Sequence, residues 1–157
     1  MCIRDSMQMD CVPVKHALLD CGTIPQTFNA LARILALDLK DPETHVVSVQ
    51  AMEWGLRLLD DILTDEEAHT YAWTPHDAEV LFRVLQVWSE LDSRYLLDTE
   101  GMEHRISIIE SGCSILDHET KNSTFCTAVV DCENLDILRL LLHLSLIHIS
   151  EPTRQEA

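Results

Sequence analysis

Apolar residues recur along this chain at intervals of three and four, the spacing that gathers side chains on one side of an α-helix. Phe28, Leu31, Ala32, Ile34 and Leu35 form one such face, in a helix predicted to open at Pro25 with Thr23 as its cap. A second helix is predicted from Pro42, with Val46, Val47, Val49, Met52, Leu56, Leu59, Ile62 and Leu63 as its stripe. A third opens at Thr74-Pro75 and carries Val80, Leu81, Val84, Leu85, Val87, Trp88 and Leu91. The same spacing predicts helices over residues 102–117, 123–131 and 135–143. No segment alternates apolar and polar residues between turn signals, so the expected fold class is all-α.

Two of the predicted helices repeat one another. Residues 51–60 laid over 108–117 match Glu53 with Glu110, Gly55 with Gly112, Leu59 with Leu116 and Asp60 with Asp117, and set Leu58 against Ile115. A glycine inside a helix costs about 1 kcal/mol relative to alanine, so its return at one register predicts a close helix–helix approach. A second class also returns: Leu18, Leu19, Asp20, Cys21 correspond to Val129, Val130, Asp131, Cys132, and residues 75–85 fit over 25–35. Long helices over 43–63 and 102–117 then alternate with helices opening near 25, 75 and 135, an order that suits a stack of helix pairs.

Leu18, Leu19, Asp20, Cys21, Gly22, Thr23, Ile24 and Pro25, followed by Leu31, Ile34 and Leu35, resemble the armadillo-repeat signature, in which an apolar pair, a glycine turn and Ile-Pro open the last helix. Residues 129–142 are similar but carry Glu133 in place of the glycine and Asp136 in place of the proline, whereas residues 71–85 keep the proline and lose the glycine. The resemblance implies a right-handed superhelical α-solenoid fragment of about two to three repeats, armadillo-like or of the related HEAT type. Within that family, importin-α-like adaptors bind basic localisation peptides through Trp followed four positions later by Asn. Trp54 is followed by Leu58, and the equivalent helix has Ser111 and Ile115, so no peptide-binding residues carry over.

The two ends read differently from the middle. Met1, Cys2, Ile3, Arg4, Asp5 and Ser6 back-translate to a DNA string whose reverse complement encodes Leu144, Ser145, Leu146, Ile147, His148 and Ile149, and residues 144–154 resemble translated read-through of a transposon-end sequencing adapter. Residues 1–6 and 144–157 are therefore expected to be adapter-derived, leaving 7–143 as a fragment of helical repeats, partial at both ends. A stack cut in this way exposes apolar helix faces, and self-association through them is expected.

Composition narrows the partners. Of 157 residues, 27 are Asp or Glu and 11 are Lys or Arg, for a formal net charge of −16. The end segments hold few of these charges, so the acidity belongs to the repeats. Such a field repels phosphate backbones, which argues against nucleic acid and an anionic membrane and for a basic peptide or protein. The apolar run over 135–149 is interrupted by Arg139 and ends in the adapter-like segment, too short to span a bilayer. Of six cysteines Cys2 lies in the adapter-like segment; the other five, Cys11, Cys21, Cys113, Cys126 and Cys132, show no C-x-x-C spacing, and their odd number suits reduced, mostly buried thiols in the cytosol or nucleus.

Candidate chemistry is sparse. Glu66 and His69 have the Glu-x-x-His spacing of carboxylate-bridged metal sites, reversed by His76 and Glu79, but such sites draw ligands from several facing helices. These pairs read as a solvated loop, and no metal or other cofactor is expected. Asp117, His118, Glu119 and His104 could suggest acid–base work but read as a charged helix end. Cys21, Cys113 and Cys132 lie near helix ends or turns that could activate a thiol, yet packing is the simpler role. Asn122, Ser123 and Thr124 form a glycosylation sequon and read as a helix cap. Trp54 and Trp88, within apolar helices, are expected in the core; Trp73, in a loop beside Tyr71 and Pro75, is expected with Tyr71 to be an exposed partner contact. The resulting expectation is a non-enzymatic scaffold fragment with an acidic groove for a peptide or protein segment. The alternative is a regulatory repeat segment of a larger enzyme, such as a kinase or ubiquitin ligase.

Overall fold

The computed structural model describes residues 12–37, 42–65, 71–90 and 99–132. They form six α-helices and, among the described residues, no strand: α1 (Val12–Asp20), α2 (Thr23–Leu35), α3 (Pro42–Leu63), α4 (Pro75–Glu90), α5 (Thr99–Glu119) and α6 (Ser123–Asp131). The adapter-like ends, the helix expected over 135–143, and Glu66, His69 and Leu91 lie outside the described residues.

Local chemistry accounts for most helix boundaries. Gly22 takes φ 70°, a left-handed conformation that favours glycine, and its N–H donates to Leu19 O at 3.0 Å to close the corner between α1 and α2. Gly22 thereby occupies the cap position of α2, and Thr23, expected to cap, falls inside the first turn. The chain turns at the only residue suited to that φ, and the helix begins immediately after it. Pro42 and Pro75 open α3 and α4 as expected, since the first helical position needs no amide hydrogen. At α4 the cap is reciprocal: Asp77 N donates to Thr74 Oγ1 at 3.2 Å, and Thr74 N donates to Asp77 Oδ2 at 3.3 Å. The last turn of α4 is held from α5, where Arg105 donates to Trp88 O at 2.8 Å and Ser89 O at 3.0 Å. A cation at that end also suits the helix dipole. The short helix α1 has no counterpart among the elements expected from periodicity.

The helices form two rows. α2, α4 and α6 pack side by side, α3 and α5 pack along one another, and α2 lies against α3 as α4 lies against α5. Phe28 and Leu31 of α2, Met52, Leu56 and Leu59 of α3, Leu81, Leu85 and Trp88 of α4, Ile108 and Ile115 of α5, and Phe125 of α6 make a continuous core. Each such side chain contributes about 1.5–3 kcal/mol by leaving water. Trp88 donates its indole N–H to Met52 Sδ at 2.9 Å, so the largest fully buried ring also links α4 to α3.

The repeated glycines sit at the crossings. A methyl group on Gly55 would come within 3.0 Å of Leu31 Cδ2 on α2, and one on Gly112 within 2.5 Å of Leu85 Cδ2 on α4. The expected close approach is present at both positions. The α3 stripe, by contrast, was read too broadly: Val46 and Val47 are exposed, and so is Trp54, which was expected in the core. The burying neighbours α2 and α5 cover other sides of α3.

Candidate functional site

Trp73 and Tyr71 form the end of a buried corner where the segment before α4 meets the α5–α6 turn. Trp73 is 6% exposed, which corrects its expected role as an exposed contact. Its ring meets Phe125 edge-on with centroids 4.8 Å apart, Tyr71 at 5.6 Å and Phe28 at 5.4 Å. Its indole N–H donates to Glu119 Oε2 at 2.7 Å, and the same oxygen accepts from Asn122 Nδ2 at 2.7 Å. Thr124 Oγ1 accepts from Trp73 N at 3.2 Å and donates to Tyr71 O at 3.0 Å. Residues far apart in sequence thus satisfy each other's polar groups, and an aromatic residue outside any helix becomes core.

Tyr71, half-buried, donates its hydroxyl to Asp77 Oδ2 at 2.9 Å. Burial, and then the adjacent Asp77 carboxylate, push the phenol well above its usual range, so it stays protonated. Asn122 caps α6 as its sequence suggested, accepting from Thr124 N at 3.0 Å. Every group in this corner is engaged with another part of the chain, which makes it a structural joint.

A more accessible feature lies between α3 and α5. A cleft of about 480 Å³ is lined by Arg57 and Asp60 of α3 and by Glu103, Ile106, Ser107, Glu110, Ser111 and Ser114 of α5. Three carboxylates face one guanidinium there, and three serine hydroxyls can donate or accept. Arg57 is already engaged, 3.7 Å from Glu53 one turn earlier and 5.5 Å from the Trp54 ring centroid. Burial pushes the Asp60 carboxyl above the usual carboxylate range; a hydrogen bond from Ser114 opposes this, Asp61 adds to it and His118 opposes it. Asp60 Oδ1 is enclosed and lacks a hydrogen-bond partner. Trp54, 63% exposed, stands beside Arg57 at the rim, and Ile106 is half exposed. The cleft can therefore receive a cationic or hydrogen-bonding group flanked by apolar surface. Sequence reasoning missed it because its two walls come from different helices, although Glu110 and Asp60 had already emerged as repeat positions.

The other acid–base candidates are drawn into packing. His104 Nδ1 contacts Glu53 Oε2 across the α3–α5 interface, and Glu119 is held by Trp73 and Asn122. His118 Nδ1 lies 3.5 Å from Glu119 Oε1. Cys21 and Cys126 are exposed and Cys113 and Cys132 half-buried, which corrects the expectation of mostly buried thiols. Burial raises the Cys113 and Cys132 thiols, the opposite of nucleophile activation, and Cys132 Sγ donates to Pro75 O at 3.0 Å. His76 is exposed and Glu79 half-buried. Among the described residues, no group of three or more His, Cys, Asp or Glu is placed to hold a metal, and no helix is long and apolar enough to cross a membrane. Comparison with family models, curated proteins and solved structures returned no match for this chain.

Proposed function

We propose that this chain is a protein–protein interaction module, part of an armadillo-like α-solenoid, whose acidic groove binds a peptide or protein segment of basic character. The carrying observation is the α3–α5 cleft, in which Asp60, Glu103 and Glu110 stand with the exposed Ile106 and with Arg57, whose guanidinium lies over the exposed Trp54 ring. Acid flanked by apolar surface suits a lysine- or arginine-bearing segment, whose stem packs while its head is neutralised.

Two features of the fold support the solenoid part of the reading. The helices form two rows with α2 on α3 and α4 on α5, as stacked helix pairs do. α1 and α6, matched in sequence, are each nine residues long and end at the corresponding Asp20 and Asp131.

The test is a salt titration of binding, using a fluorescein-labelled dodecalysine peptide and the full chain. Affinity is expected to fall at least tenfold between 50 and 500 mM NaCl, and the Glu103→Gln/Glu110→Gln double variant to bind several-fold more weakly at low salt. Affinity indifferent to ionic strength, or unchanged in the double variant, overturns the groove reading.

A further inference from the structure

The register that relates α3 to α5 in sequence picks out a surface of α3 that no described helix covers. The register that sets Gly55 against Gly112 also sets Val47, Ala51, Trp54 and Leu58 against His104, Ile108, Ser111 and Ile115. On α5 this row faces inward toward α3. His104 contacts Glu53, Ser111 shares the cleft with Asp60 and Arg57, and Ile108 and Ile115, each next in the row after one of these, are fully buried. On α3 the corresponding row is open: Val47 is 67% exposed, Leu58 36%, and Ala51 and Trp54 are exposed too. The four residues recur at i, i+4, i+7 and i+11, one continuous ridge about 16 Å long.

We propose that this ridge receives an amphipathic basic helix of another protein, laid along α3 much as α3 lies along α5. The inference rests on the interaction-module reading and adds the face used and the shape of the partner. A ridge of this spacing fits the groove between side-chain rows of a second helix, so an apolar stripe on the partner would cover Trp54 and Leu58. Charge selects the partner. The chain carries a formal −16, Asp61 continues the ridge beyond Leu58, and Glu103 and Glu110 border the cleft beside Arg57, whose own charge is met by Glu53. The self-association expected of a cut stack would, on this face, bring a like field against this one, whereas a helix with lysines flanking its apolar stripe meets opposite charge.

The experiment uses the full chain and two 18-residue peptides of equal leucine and lysine content. In one the leucines follow helical spacing; in the other the order is scrambled so that no helical face is apolar. Trp73 and Trp88 are buried, so the difference spectrum between the chain and its Trp54→Phe variant isolates the exposed indole. In the free chain Trp54 is expected to emit as a water-exposed tryptophan. The helical peptide is expected to shift that emission to the blue and to bind at least tenfold more tightly than the scrambled one, with the difference lost in Trp54→Ala and Leu58→Ser. Circular dichroism checks that both variants remain folded. Equal binding of both peptides, unaffected by Trp54→Ala, overturns the ridge and leaves the acidic-groove reading standing. Absence of binding by either peptide at low salt overturns both. Trp54 emission already blue-shifted in the free chain, or a dimer in sedimentation that Trp54→Ala dissolves, assigns the ridge to the chain itself or to a second copy and overturns the proposal.

Discussion

Trp73 and Trp54 occupy opposite circumstances, and neither is where its local sequence suggests. Trp73 lies in a segment without helical structure, among polar neighbours, and is enclosed by Phe28, Phe125 and Tyr71 with its N–H satisfied by Glu119. Trp54 lies in the middle of the longest described helix, in an apolar run, and stands in solvent. The contrast teaches that burial follows from what another part of the chain brings across. Trp73 gains its enclosure from residues far along the sequence, and the side of α3 that carries Trp54 is not the side taken by α2 or α5.

The sharpest way to break that contrast is truncation of Trp73. Trp73→Ala removes a packed ring and one of the two donors to Glu119, and a loss of about 3–5 kcal/mol is expected in urea unfolding followed by circular dichroism. A loss below about 1 kcal/mol would show that the corner is not a structural joint. Glu119→Ala comes next, because it leaves the buried indole N–H of Trp73 without its acceptor and takes one of two acceptors from Asn122; about 2 kcal/mol should be lost.

Gly112→Ala separates the two glycine crossings. The added methyl meets three carbons of the fully buried Leu85 side chain, at 2.5, 3.1 and 3.3 Å, so the whole isobutyl group must shift, and this outweighs the roughly 1 kcal/mol alanine gains in helix propensity. A net loss of about 1 kcal/mol is expected, against a change within about 0.5 kcal/mol for Gly55→Ala, whose contact is looser. Equal effects would mean that the crossings are not distinguished by their spacing.

Asp60 gives a pH-dependent test on the cleft side. Its carboxyl is raised in the folded state, mainly by burial, so folding binds the proton more tightly than the unfolded chain does. Stability at this site is therefore greatest below the unfolded value, near 4, and declines as pH rises through the higher folded value. Asp60→Asn should flatten that decline and raise stability at neutral pH by about 0.5 kcal/mol in thermal melts at a series of pH values. A steeper decline in the variant would reverse the assignment. The smallest effect belongs to Trp54→Ala, expected within about 0.5 kcal/mol of the parent, since little is packed over the ring. A loss comparable with that of Trp73→Ala would erase the comparison.

The helices were legible because their signals are local. Pro42 and Pro75 mark two starts, Asn122 marks the cap of α6, and the three-four spacing finds most of the buried positions of α3 and α4. Gly55 and Gly112 could also be read, because a glycine recurring within helices has a steric meaning that survives without coordinates. Thr23 was misassigned because the requirement for a left-handed turn at Gly22 overrides the preference for a hydroxyl cap. The cleft was not legible, since Asp60 and Glu110 converge only when α3 and α5 pack together. Val47, Trp54 and Leu58 share the periodicity of core residues, and periodicity alone does not distinguish a face already covered from one left open.

The amide nitrogen of Asn122 has a consequence for how the chain could be handled in a cell. In the folded joint that nitrogen donates to Tyr71 O at 3.1 Å and to Glu119 at 2.7 Å, the very atom to which an oligosaccharide would be linked. A sugar linked there would replace one of the nitrogen's two hydrogens, so the joint would keep at most one of these two bonds. The sequon and the joint thus draw on the same nitrogen, and its place in the folded corner is that of a capping residue held by two acceptors.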